Sequence, residues 1–253
     1  MFMSLTFPET YNLNKNVKEE YKNDLMRYSR QIAIEEIGVE GQLKLRDAKI
    51  GIIGCGALGS MVSMQLAGAG VGKIKIADYD TVDITNLQRQ FFFSTDEAGK
   101  SKAEIMARQM KQLNPEITVE VTKSMIHNTN GEDFIADCDF IIDATDNPSS
   151  KILIDNLCSK NGIPCCIGGV AGFHGQVTTL ISPGERFSIL FPESEEGGFM
   201  PCSLGGVIGP AAALCASIQS SETIKYIVEI GELLKNRLFT FDLLNNNFRV
   251  FEY

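Results

Sequence analysis

The sequence predicts an α/β fold: a doubly wound, Rossmann-like and mostly parallel sheet with an antiparallel C-terminal extension. Between residues 48 and 162, short apolar segments rich in β-branched residues alternate with segments of helical periodicity. A glycine-rich turn follows the first apolar segment, which is where doubly wound nucleotide-binding folds place theirs. Later, two strand-like segments follow each other around a bend, which indicates antiparallel pairing.

Length and composition fit one folded domain preceded by an arm. The chain has 253 residues, of which 44% are hydrophobic, enough to bury a sizeable core. Residues 1–20 are polar and aperiodic, so we expect a flexible N-terminal arm there and a single domain over residues 21–253.

Charge and hydropathy disfavour several kinds of partner. The formal net charge of −9 argues against a nucleic-acid surface, because such a surface needs a basic stripe. The first ten residues lack the parts of a secretory signal peptide, and no apolar run approaches the roughly 18 residues of a membrane-spanning helix. We therefore expect a soluble, cytoplasmic protein without nucleic-acid or membrane partners.

The seven cysteines include no CxxC pair, and the chain has only two histidines. In a cytoplasmic protein this pattern predicts reduced, mostly buried thiols and no structural zinc site. Cys165 and Cys166 are neighbours in an apolar strand and are predicted core thiols. Cys55, inside the glycine turn, is predicted to pack rather than to react.

The N-terminal half predicts alternating helices and strands. A first helix, either continuous or broken, is expected from Tyr21 to Ile37, with Gly38 as its stop. The segments DAKIGIIGCGALGS, SMVSMQLAGAGVG and KIKIADYD then predict a strand, a helix ending at Gly70 or Gly72, and a second strand, which together form a βαβ unit. The alternation continues with a helix at about 101–113, a strand in EITVEVTKSM, a helix near 130–136 and a strand in DFIIDATDN.

The C-terminal half predicts a helix over 149–162 and then two strands in IPCCIGGVAGFHGQVTTLI. Residues 183–204 show no periodicity, and an unpatterned loop of about 20 residues is long enough to suggest function. A long buried helix is predicted over 207–231, followed by a hairpin over 238–253 that turns at Leu244–Asn247.

The glycine turn predicts a nucleotide site. Gly54, Gly56 and Gly59 form a G-x-G-x-x-G pattern between a strand and a helix, where backbone N–H groups approach phosphate at the positive helix end. Asp78 lies 24 residues after Gly54 at the end of the next strand, a position suited to ribose hydroxyls. The alternative is that the glycines only pack the strand against the helix.

Three further charged residues favour ATP over a redox dinucleotide. Arg89 and Lys102 follow Asp78, and Asp146 closes a later strand; the carboxyl ends of parallel strands meet at one edge, so these side chains can converge. Two cations beside a carboxylate suit a triphosphate with magnesium, which Asp146 would bind through oxygen. Taken singly, each residue also fits a surface ion pair, a solvated helix face or a turn.

The segments RYSRQI, GCGALG, ADYDTVDITNLQRQ, GKSKAE and DATDN occur in the order and spacing of the MoeB/ThiF/HesA family, the bacterial relatives of ubiquitin-activating enzymes. The chain resembles this family from about residue 24 to at least residue 228. The resemblance implies a ThiF-type adenylation domain over residues 21–253: an adenylyltransferase that uses ATP and Mg²⁺. Its substrate would be the C-terminal glycine of a small ubiquitin-like sulfur carrier of the ThiS/MoaD type ending in Gly-Gly, in thiamine or molybdopterin cofactor biosynthesis.

The resemblance also implies a role for each residue of the nucleotide site. Asp78 would hold the ribose, and Asp146 would organise magnesium. The phosphates would be bound by Asn86, Arg89 and Lys102. The remaining lining residues would be Gly54, Gly56, Ala57, Gly59 and Asn147. Ala57 stands where the family commonly has glycine.

Two further positions imply partners. Arg30 matches an arginine that the family delivers into the neighbouring subunit's ATP site, which implies a homodimer with shared sites. Cys202 aligns with a loop cysteine that can form a thioester- or persulfide-type link with the activated carrier, and a cysteine desulfurase or another sulfur donor would then be a partner. The alternative for Cys202 is an ordinary loop cysteine. His174 could contact the carrier's tail, although a residue in a turn is the simpler interpretation.

The chain departs from the family at its zinc site. Phe187 and Leu190 stand where the family has its first CxxC pair, and the second pair near the C-terminus is absent. Zinc is therefore not expected, and we predict that apolar contact replaces it.

The segment NLQRQFFF predicts a polar lip on a hydrophobic anchor. Asn86 and Arg89 would contact phosphate, Gln88 and Gln90 would brace the lip, and Phe91–Phe93 would anchor it to the core or to a dimer partner.

Two other functions stay open from sequence alone: an NAD-dependent oxidoreductase, suggested by the glycine pattern, and a non-catalytic scaffold subunit of an activating enzyme. The sequence does not choose between a thiamine-thiazole carrier, a molybdopterin carrier and a cysteine or other sulfur pathway. A related branch that activates a small molecule or a modified tRNA base also stays open, although the acidic composition disfavours RNA.

Overall fold

The computed structural model describes residues 26–181, 186–190 and 206–253. The helices are α1 (Ser29–Ile32), α2 (Gly38–Asp47), α3 (Ala57–Ala69), α4 (Lys102–Leu113), α5 (Gly131–Ile135), α6 (Pro148–Asn161), α7 (Phe187–Leu190) and α8 (Gly209–Val228). The strands are β1 (Lys49–Ile53), β2 (Lys73–Ala77), β3 (Thr118–Thr122), β4 (Phe140–Asp143), β5 (Cys165–Ala171), β6 (His174–Leu180), β7 (Arg237–Asp242) and β8 (Asn247–Glu252). The expected arm at residues 1–20 lies outside the described residues.

The described strands form one sheet in the order β3-β2-β1-β4-β5-β6-β7-β8. The pairs from β3 to β5 are parallel, and those from β5 to β8 are antiparallel. This confirms the predicted doubly wound sheet with an antiparallel extension. The chain moves outward from β1 to β3 and then returns to place β4 on the other side of β1, so the strand order reverses between β1 and β4.

The strand register brings three chain segments level at this reversal. Ile53, the last residue of β1, pairs with both Ala77 of β2 and Asp143 of β4. The next residues, Gly54, Asp78 and Ala144, therefore leave the sheet side by side. The glycine turn, the proposed ribose carboxylate and the Asp146 segment share one edge for this reason.

Hydrophobic clusters cover both faces of the sheet. Ile50 and Ile52 of β1 pack with α3, α4 and α8, whereas Ile53 packs with α5 and α6. Full burial of each such side chain stabilises the fold by about 1.5–3 kcal/mol relative to exposure. The neighbours Cys165 and Cys166 lie in opposite clusters, as predicted for adjacent residues of a strand. All six described cysteines are buried, and none of them is part of a disulfide.

The predicted first helix is broken within the described residues, and the prediction that Gly38 stops it is wrong. The short helix α1 ends at Ile32, and Gly38 begins α2 instead of ending a helix. Gly38 has a positive φ of 57°, so it turns the chain sharply into α2. The corner is held by Gln31, whose amide donates to Gln42 Oε1 at 2.7 Å and to the carbonyl of Ala69 at 3.0 Å.

Other boundaries differ slightly from the predicted ones. The helix α3 ends at Ala69 with Gly70 as its cap, which decides between the two glycines in the prediction. The hairpin turns at residues 243–246, one residue earlier than predicted. Within the segment 183–204, predicted to be irregular, the described part contains the short helix α7. Among the described residues, no helix combines the length and hydropathy that a membrane crossing requires.

Candidate active site

A cavity of about 240 Å³ lies at the carboxyl ends of β1, β2 and β4, where the strand order reverses. Most of the residues predicted for the nucleotide site line it: Gly54, Gly56, Ala57, Asp78, Asn86, Arg89, Lys102, Asp146 and Asn147. The structure therefore brings together motifs that are far apart in the sequence. We refer to this space as the nucleotide cavity.

The glycines of the turn have different tasks. A Cβ on Gly59 would overlap the carbonyl oxygen of Gly54, so Gly59 packs the helix against the turn and does not line the cavity. Gly54 has a φ of 96°, and a Cβ there would lie 2.8 Å from the carbonyl oxygen of Ala144. A Cβ on Gly56 would meet only Gln90 Nε2, at 3.7 Å. The packing interpretation thus holds for Gly59, whereas Gly56 opens a wall of the cavity.

Asp78 joins the glycine turn to the end of β2. Its Oδ2 accepts a hydrogen bond from the backbone N–H of Cys55 at 2.6 Å, and its Oδ1 accepts one from the N–H of Asp80 at 2.7 Å. Burial raises the pKa of Asp78 above its ordinary value, although both N–H groups and Lys102 act in the opposite direction. Each carboxylate oxygen can accept a second hydrogen bond, which leaves capacity for ribose hydroxyls.

Lys102 is a buried cation at the start of α4. The residue is only 5% exposed, and its Nζ lies 3.2 Å from Oδ2 of the more exposed Asp80. The backbone N–H of Lys102 also donates to the carbonyl of Asp80 at 3.1 Å. Asp80 was not among the predicted site residues, although it is the second aspartate of the ADYD segment. It balances the charge of the buried ammonium from the rim of the cavity.

The lip that carries Asn86 and Arg89 is held by local hydrogen bonds. Asp83 accepts from the backbone N–H and the hydroxyl of Thr85, and these bonds lower the pKa of its carboxyl. Asn86 Oδ1 accepts from the N–H of Asp83 at 3.3 Å, which completes a capping box. Arg89 Nη1 donates to the carbonyl of Thr85 at 2.9 Å. One guanidinium N–H is used in this way, and an arginine side chain has five.

The aromatic run anchors this lip, as predicted. Phe93 is buried in the main core cluster, and Phe92 packs against it. Phe91 is 53% exposed and covers Gly209, where any Cβ would overlap its ring. Gln88 donates to the carbonyl of Val207 at 3.4 Å, which braces the lip. Gln90 has a different position: it is buried in the cavity wall, and its Oε1 has no hydrogen-bond partner within the described part of the chain.

Asp146 and Asn147 lie in the turn between β4 and α6. Asp143 Oδ1 accepts from the N–H and the hydroxyl of Thr145, at 2.8 and 2.6 Å, and bends the chain there. Asn147 Oδ1 then caps α6 by accepting from the N–H of Ser150 at 2.9 Å. The capping role of Asn147 is therefore structural in addition to its place in the cavity wall.

One predicted residue, Arg30, lies apart from this constellation. Arg30 is exposed in α1 and does not line the nucleotide cavity of its own chain. Cys202 lies outside the described residues.

A second cavity of about 400 Å³ adjoins the first between α6 and the strands β5 to β8. The two cavities share five lining residues: Asp146, Asn147, Gly168, Gly169 and Val170. Leu238, Phe241 and Phe251 contribute apolar walls. His174 starts β6 immediately after the bend and lies at the exposed rim, with Nδ1 3.7 Å from Asp242 Oδ1. Sequence reasoning did not find this apolar cavity.

Apolar contact occurs at Phe187 and Leu190, the positions where the family has its first CxxC pair. Phe187 is buried in the second core cluster, and Leu190 packs against the same cluster. Asp155 Oδ2 accepts from Arg186 Nε and from the N–H of Phe187, both at 3.0 Å. The prediction of apolar contact at Phe187 and Leu190 is confirmed, and an ion pair supports it.

Comparisons with known proteins give one consistent result. The ThiF family matches residues 28–253. The chain is 36% identical over 230 residues to the SAMP-activating enzyme E1 of Haloferax volcanii, covering 90% of this chain and 85% of that protein. It is also 36% identical over 222 residues to the sulfur carrier protein ThiS adenylyltransferase of Escherichia coli, covering 85% and 87%. A crystal structure of E. coli MccB with ATP superposes with a TM-score of 0.77 at 26% identity, covering 93% of this chain and 73% of that one.

Proposed function

This chain belongs to the ThiF family, and we propose that it uses ATP to adenylate the C-terminal glycine of a small ubiquitin-like sulfur-carrier protein. Relatives named as adenylyltransferases and as a SAMP-activating enzyme support this activity over the NAD-dependent alternative. The related MccB structure with ATP supports ATP as the nucleotide.

The observation that carries the proposal is the placement of two cations and a carboxylate around one glycine turn. Arg89, Lys102 and Asp146 line the same cavity as Gly56 and Asp78. In this proposal the glycine turn would receive phosphate at the N-terminus of α3, which begins at Ala57, and Asp78 would hold the ribose. A hydride-transfer site has little use for this pair of cations, whereas a triphosphate needs them.

The chemistry proposed for this site is transfer of the adenylyl group of ATP to a carboxylate. A carboxylate oxygen of the carrier's terminal glycine forms a bond to the α-phosphorus, and the bond from that phosphorus to the bridging oxygen of pyrophosphate breaks. The products are a carrier acyl-adenylate and pyrophosphate. Two anions must approach each other, so the main tasks of Arg89 and Lys102 are to lower the repulsion and to fix the phosphates.

The residues present fit one magnesium ion bound together with the nucleotide. The described residues contain no cluster of three or more side chains that could hold a metal alone. Mg²⁺ in ATP sites commonly takes one or two carboxylates and completes its shell with phosphate oxygens and water. Asp146, in the cavity wall, would supply that carboxylate. Magnesium would neutralise phosphate charge there.

The apolar second cavity supplies a route for the carrier's tail. It shares the wall at Asp146, Asn147, Gly168 and Gly169 with the nucleotide cavity, so a chain end lying in it would reach the phosphates. Gly169 presents no side chain at this junction, and a Cβ there would meet only Gln176, at 3.5 Å, which suits the passage of a narrow Gly-Gly end. We include His174, at the rim, among the residues that would contact the tail.

The wider assembly proposed from the family resemblance has three parts. The active form would be a homodimer in which Arg30 enters the neighbouring subunit's nucleotide cavity. Residues 21–253 would form one adenylation domain, and Cys202 would form a covalent link with the activated carrier. A cysteine desulfurase or another sulfur donor would act after adenylation.

The proposal is tested by exchange of labelled pyrophosphate into ATP in the presence of each sulfur-carrier protein encoded by the same genome. We expect exchange with a carrier that ends in Gly-Gly and none with the same carrier lacking its last glycine. Absence of exchange with every carrier, while the protein is folded and binds ATP, would refute adenylation of a sulfur carrier.

A further inference from the structure

A buried ion pair lies beneath the wall shared by the two cavities. Nζ of Lys151 lies 3.4 Å from Oδ1 of Asp143. Lys151 is 7% exposed and lines the second cavity, and Asp143 is completely buried. Neither residue was identified as functional from the sequence, and neither has a role in the proposed chemistry so far.

This pair connects four secondary-structure elements. Lys151, on α6, also donates to the carbonyl of Gly168 on β5 at 2.7 Å. Asp143 ends β4, and its carbonyl accepts from Gln219 of α8 at 2.9 Å. The same Gln219 amide donates to the carbonyl of Cys166 on β5 at 3.2 Å. The end of β4 is therefore fixed from both faces of the sheet.

The pair also controls the turn that carries Asp146. Asp143 Oδ1, the oxygen near Lys151, is the one that holds the N–H and hydroxyl of Thr145. Its Oδ2 is buried and has no hydrogen-bond partner among residues 26–181, 186–190 and 206–253. Lys151 is the nearby cation that compensates this carboxylate. Asp146 follows Thr145 directly, so its place depends on the orientation of Asp143.

Energy alone does not explain why this pair is charged. Burying two ions costs solvation energy that their attraction offsets only when the geometry is good, and apolar residues of similar size often stabilise a core as well. A charged pair does provide a fixed orientation for the groups that hydrogen-bond to it.

We propose that Lys151 and Asp143 are positioning residues for adenylation: their buried pair fixes the turn from Thr145 to Asn147 and thereby sets Asp146 against the phosphates and magnesium. The inference rests on the proposed function, because it takes Asp146 as the magnesium ligand. It assigns no direct substrate contact to Lys151.

The test compares Lys151→Met with Lys151→Arg in the full chain. In Lys151→Met we expect the Mg²⁺ concentration for half-maximal pyrophosphate exchange to rise about tenfold or more, with the turnover rate falling by a similar factor, because small displacements of catalytic groups are costly. Lys151→Arg keeps the positive charge beside Asp143. Its magnesium requirement and turnover rate should therefore stay within about threefold of the wild-type values. Lys160→Met, an exposed lysine on the same helix, serves as the matched control and leaves both quantities unchanged.

A binding measurement separates this inference from the proposed function. Calorimetric titration with a non-hydrolysable ATP analogue, with and without Mg²⁺, shows a magnesium-dependent gain in affinity in the wild type that Lys151→Met loses. If the wild type shows no exchange with any carrier, the proposed function fails, and the titration still tests the inference. If the wild type exchanges and folded Lys151→Met keeps the wild-type magnesium dependence in both measurements, only the inference fails.

The double variant Asp143→Asn with Lys151→Met covers the case in which the single variant does not fold. It removes both charges, so no unpaired ion remains buried. We expect its thermal stability to recover towards the wild type while the magnesium requirement stays high. Recovery of the wild-type magnesium requirement together with stability would show that the pair only balances charge, and would overturn the inference.

Discussion

The backbone N–H of Cys55 donates to Oδ2 of Asp78 at 2.6 Å. This hydrogen bond ties the glycine turn after β1 to the carboxylate that follows β2, and both border the nucleotide cavity. In the proposed function, this one side chain would shape the turn that binds the phosphates and would also hold the ribose. Substitutions at Asp78 are expected to affect stability and nucleotide binding together.

Asp78→Asn is expected to weaken both properties. An asparagine has one acceptor oxygen, so its NH₂ group would face one of the two backbone N–H donors, from Cys55 or Asp80. We expect the free energy of unfolding to fall by about 1–3 kcal/mol, the usual cost of an unsatisfied buried donor. The affinity for ATP should fall about tenfold, which corresponds to one lost hydrogen bond to a charged group. Urea denaturation and calorimetric titration measure the two effects, with the exposed Asp96→Asn as the control. A variant with unchanged stability would show that the bond to Cys55 contributes little.

The raised pKa of Asp78 predicts a pH dependence of this stability difference. Burial is the main cause of the shift above the ordinary value of 3.8. Between that value and the higher pKa of the folded state, the folded protein holds more protons at Asp78 than the unfolded chain does. The contribution of this carboxyl to stability is therefore full below pH 3.8 and declines as the pH rises through the folded pKa. Asp78→Asn lacks this titration, so we expect the stability gap between wild type and variant to narrow as the pH rises through that range. If urea denaturation gives the same stability difference between wild type and Asp78→Asn at every pH in this range, the raised pKa of Asp78 is contradicted.

Alanine substitutions at Gly56 and Gly59 are expected to have different effects: the first on ATP binding and the second on folding. A methyl group at Gly59 overlaps the carbonyl oxygen of Gly54, so Gly59→Ala should cost several kcal/mol or prevent folding. At Gly56 the nearest obstacle to a Cβ is Gln90 Nε2 at 3.7 Å, so Gly56→Ala should fold with nearly wild-type stability. Its methyl group occupies the wall of the nucleotide cavity, and we expect weaker ATP binding. Thermal unfolding and ATP titration of both variants test this contrast, and equal stability of the two would show that the packing argument is wrong.

The buried ammonium of Lys102 is expected to be essential for turnover. Lys102→Met keeps most of the apolar stem but removes the charge that would face the phosphates, and losing one such preorganised group typically costs about a hundredfold or more in rate. Arg89→Ala is expected to have a comparable effect. The exposed neighbour Lys100→Met is the matched control and should retain full pyrophosphate exchange. Exchange within a few fold of the wild type in Lys102→Met would exclude Lys102 from the phosphate site.

The sequence alone predicts the sheet, because the strand and helix periodicities are strong from β1 to β6. The parallel topology then places Gly54, Asp78 and Asp146 at one edge. The sequence does not predict the start of α2 at Gly38, because a glycine in the left-handed conformation more often ends a helix than begins one. Buried polar contacts were also missed. The contact of Gln219 with Asp143 joins residues 76 positions apart, and no local pattern encodes it.

The second cavity was also not predicted, because it too is formed by residues that are far apart in the sequence. Its walls come from α6 and from β5 to β8, and the hydrophobic side chains that form it have the same alternation as ordinary core residues. Even within a recognised motif the sequence does not predict which polar side chains are buried. Gln90 is polar, yet it is buried beside the nucleotide cavity.

Arg30 provides the sharpest test of the homodimer. It does not line the nucleotide cavity of its own chain, and the family resemblance assigns it to the neighbouring subunit's site. Arg30→Ala and Lys102→Met are therefore each expected to be inactive alone. In a mixed dimer, the chain carrying Arg30→Ala keeps its own Lys102 and would receive Arg30 from its partner, so one of its two sites is complete.

Random pairing of the two variants makes half of the dimers mixed, each with one complete site of two, so co-expression should restore about a quarter of the wild-type exchange activity per dimer. The measurement uses differently tagged chains, with pyrophosphate exchange as the readout. The mixed dimer purified from this population should have about half of the wild-type activity per dimer. A double variant carrying both changes in one chain, co-expressed with wild type, controls for pairing. Its mixed dimer would keep one complete site only if Arg30 acted within its own chain. In that mixture the wild-type chain's site lacks the partner's Arg30 and the variant's site lacks Lys102, so the mixed dimer should be inactive. Activity that follows the wild-type chain alone would show that Arg30 acts within its own subunit or outside the site.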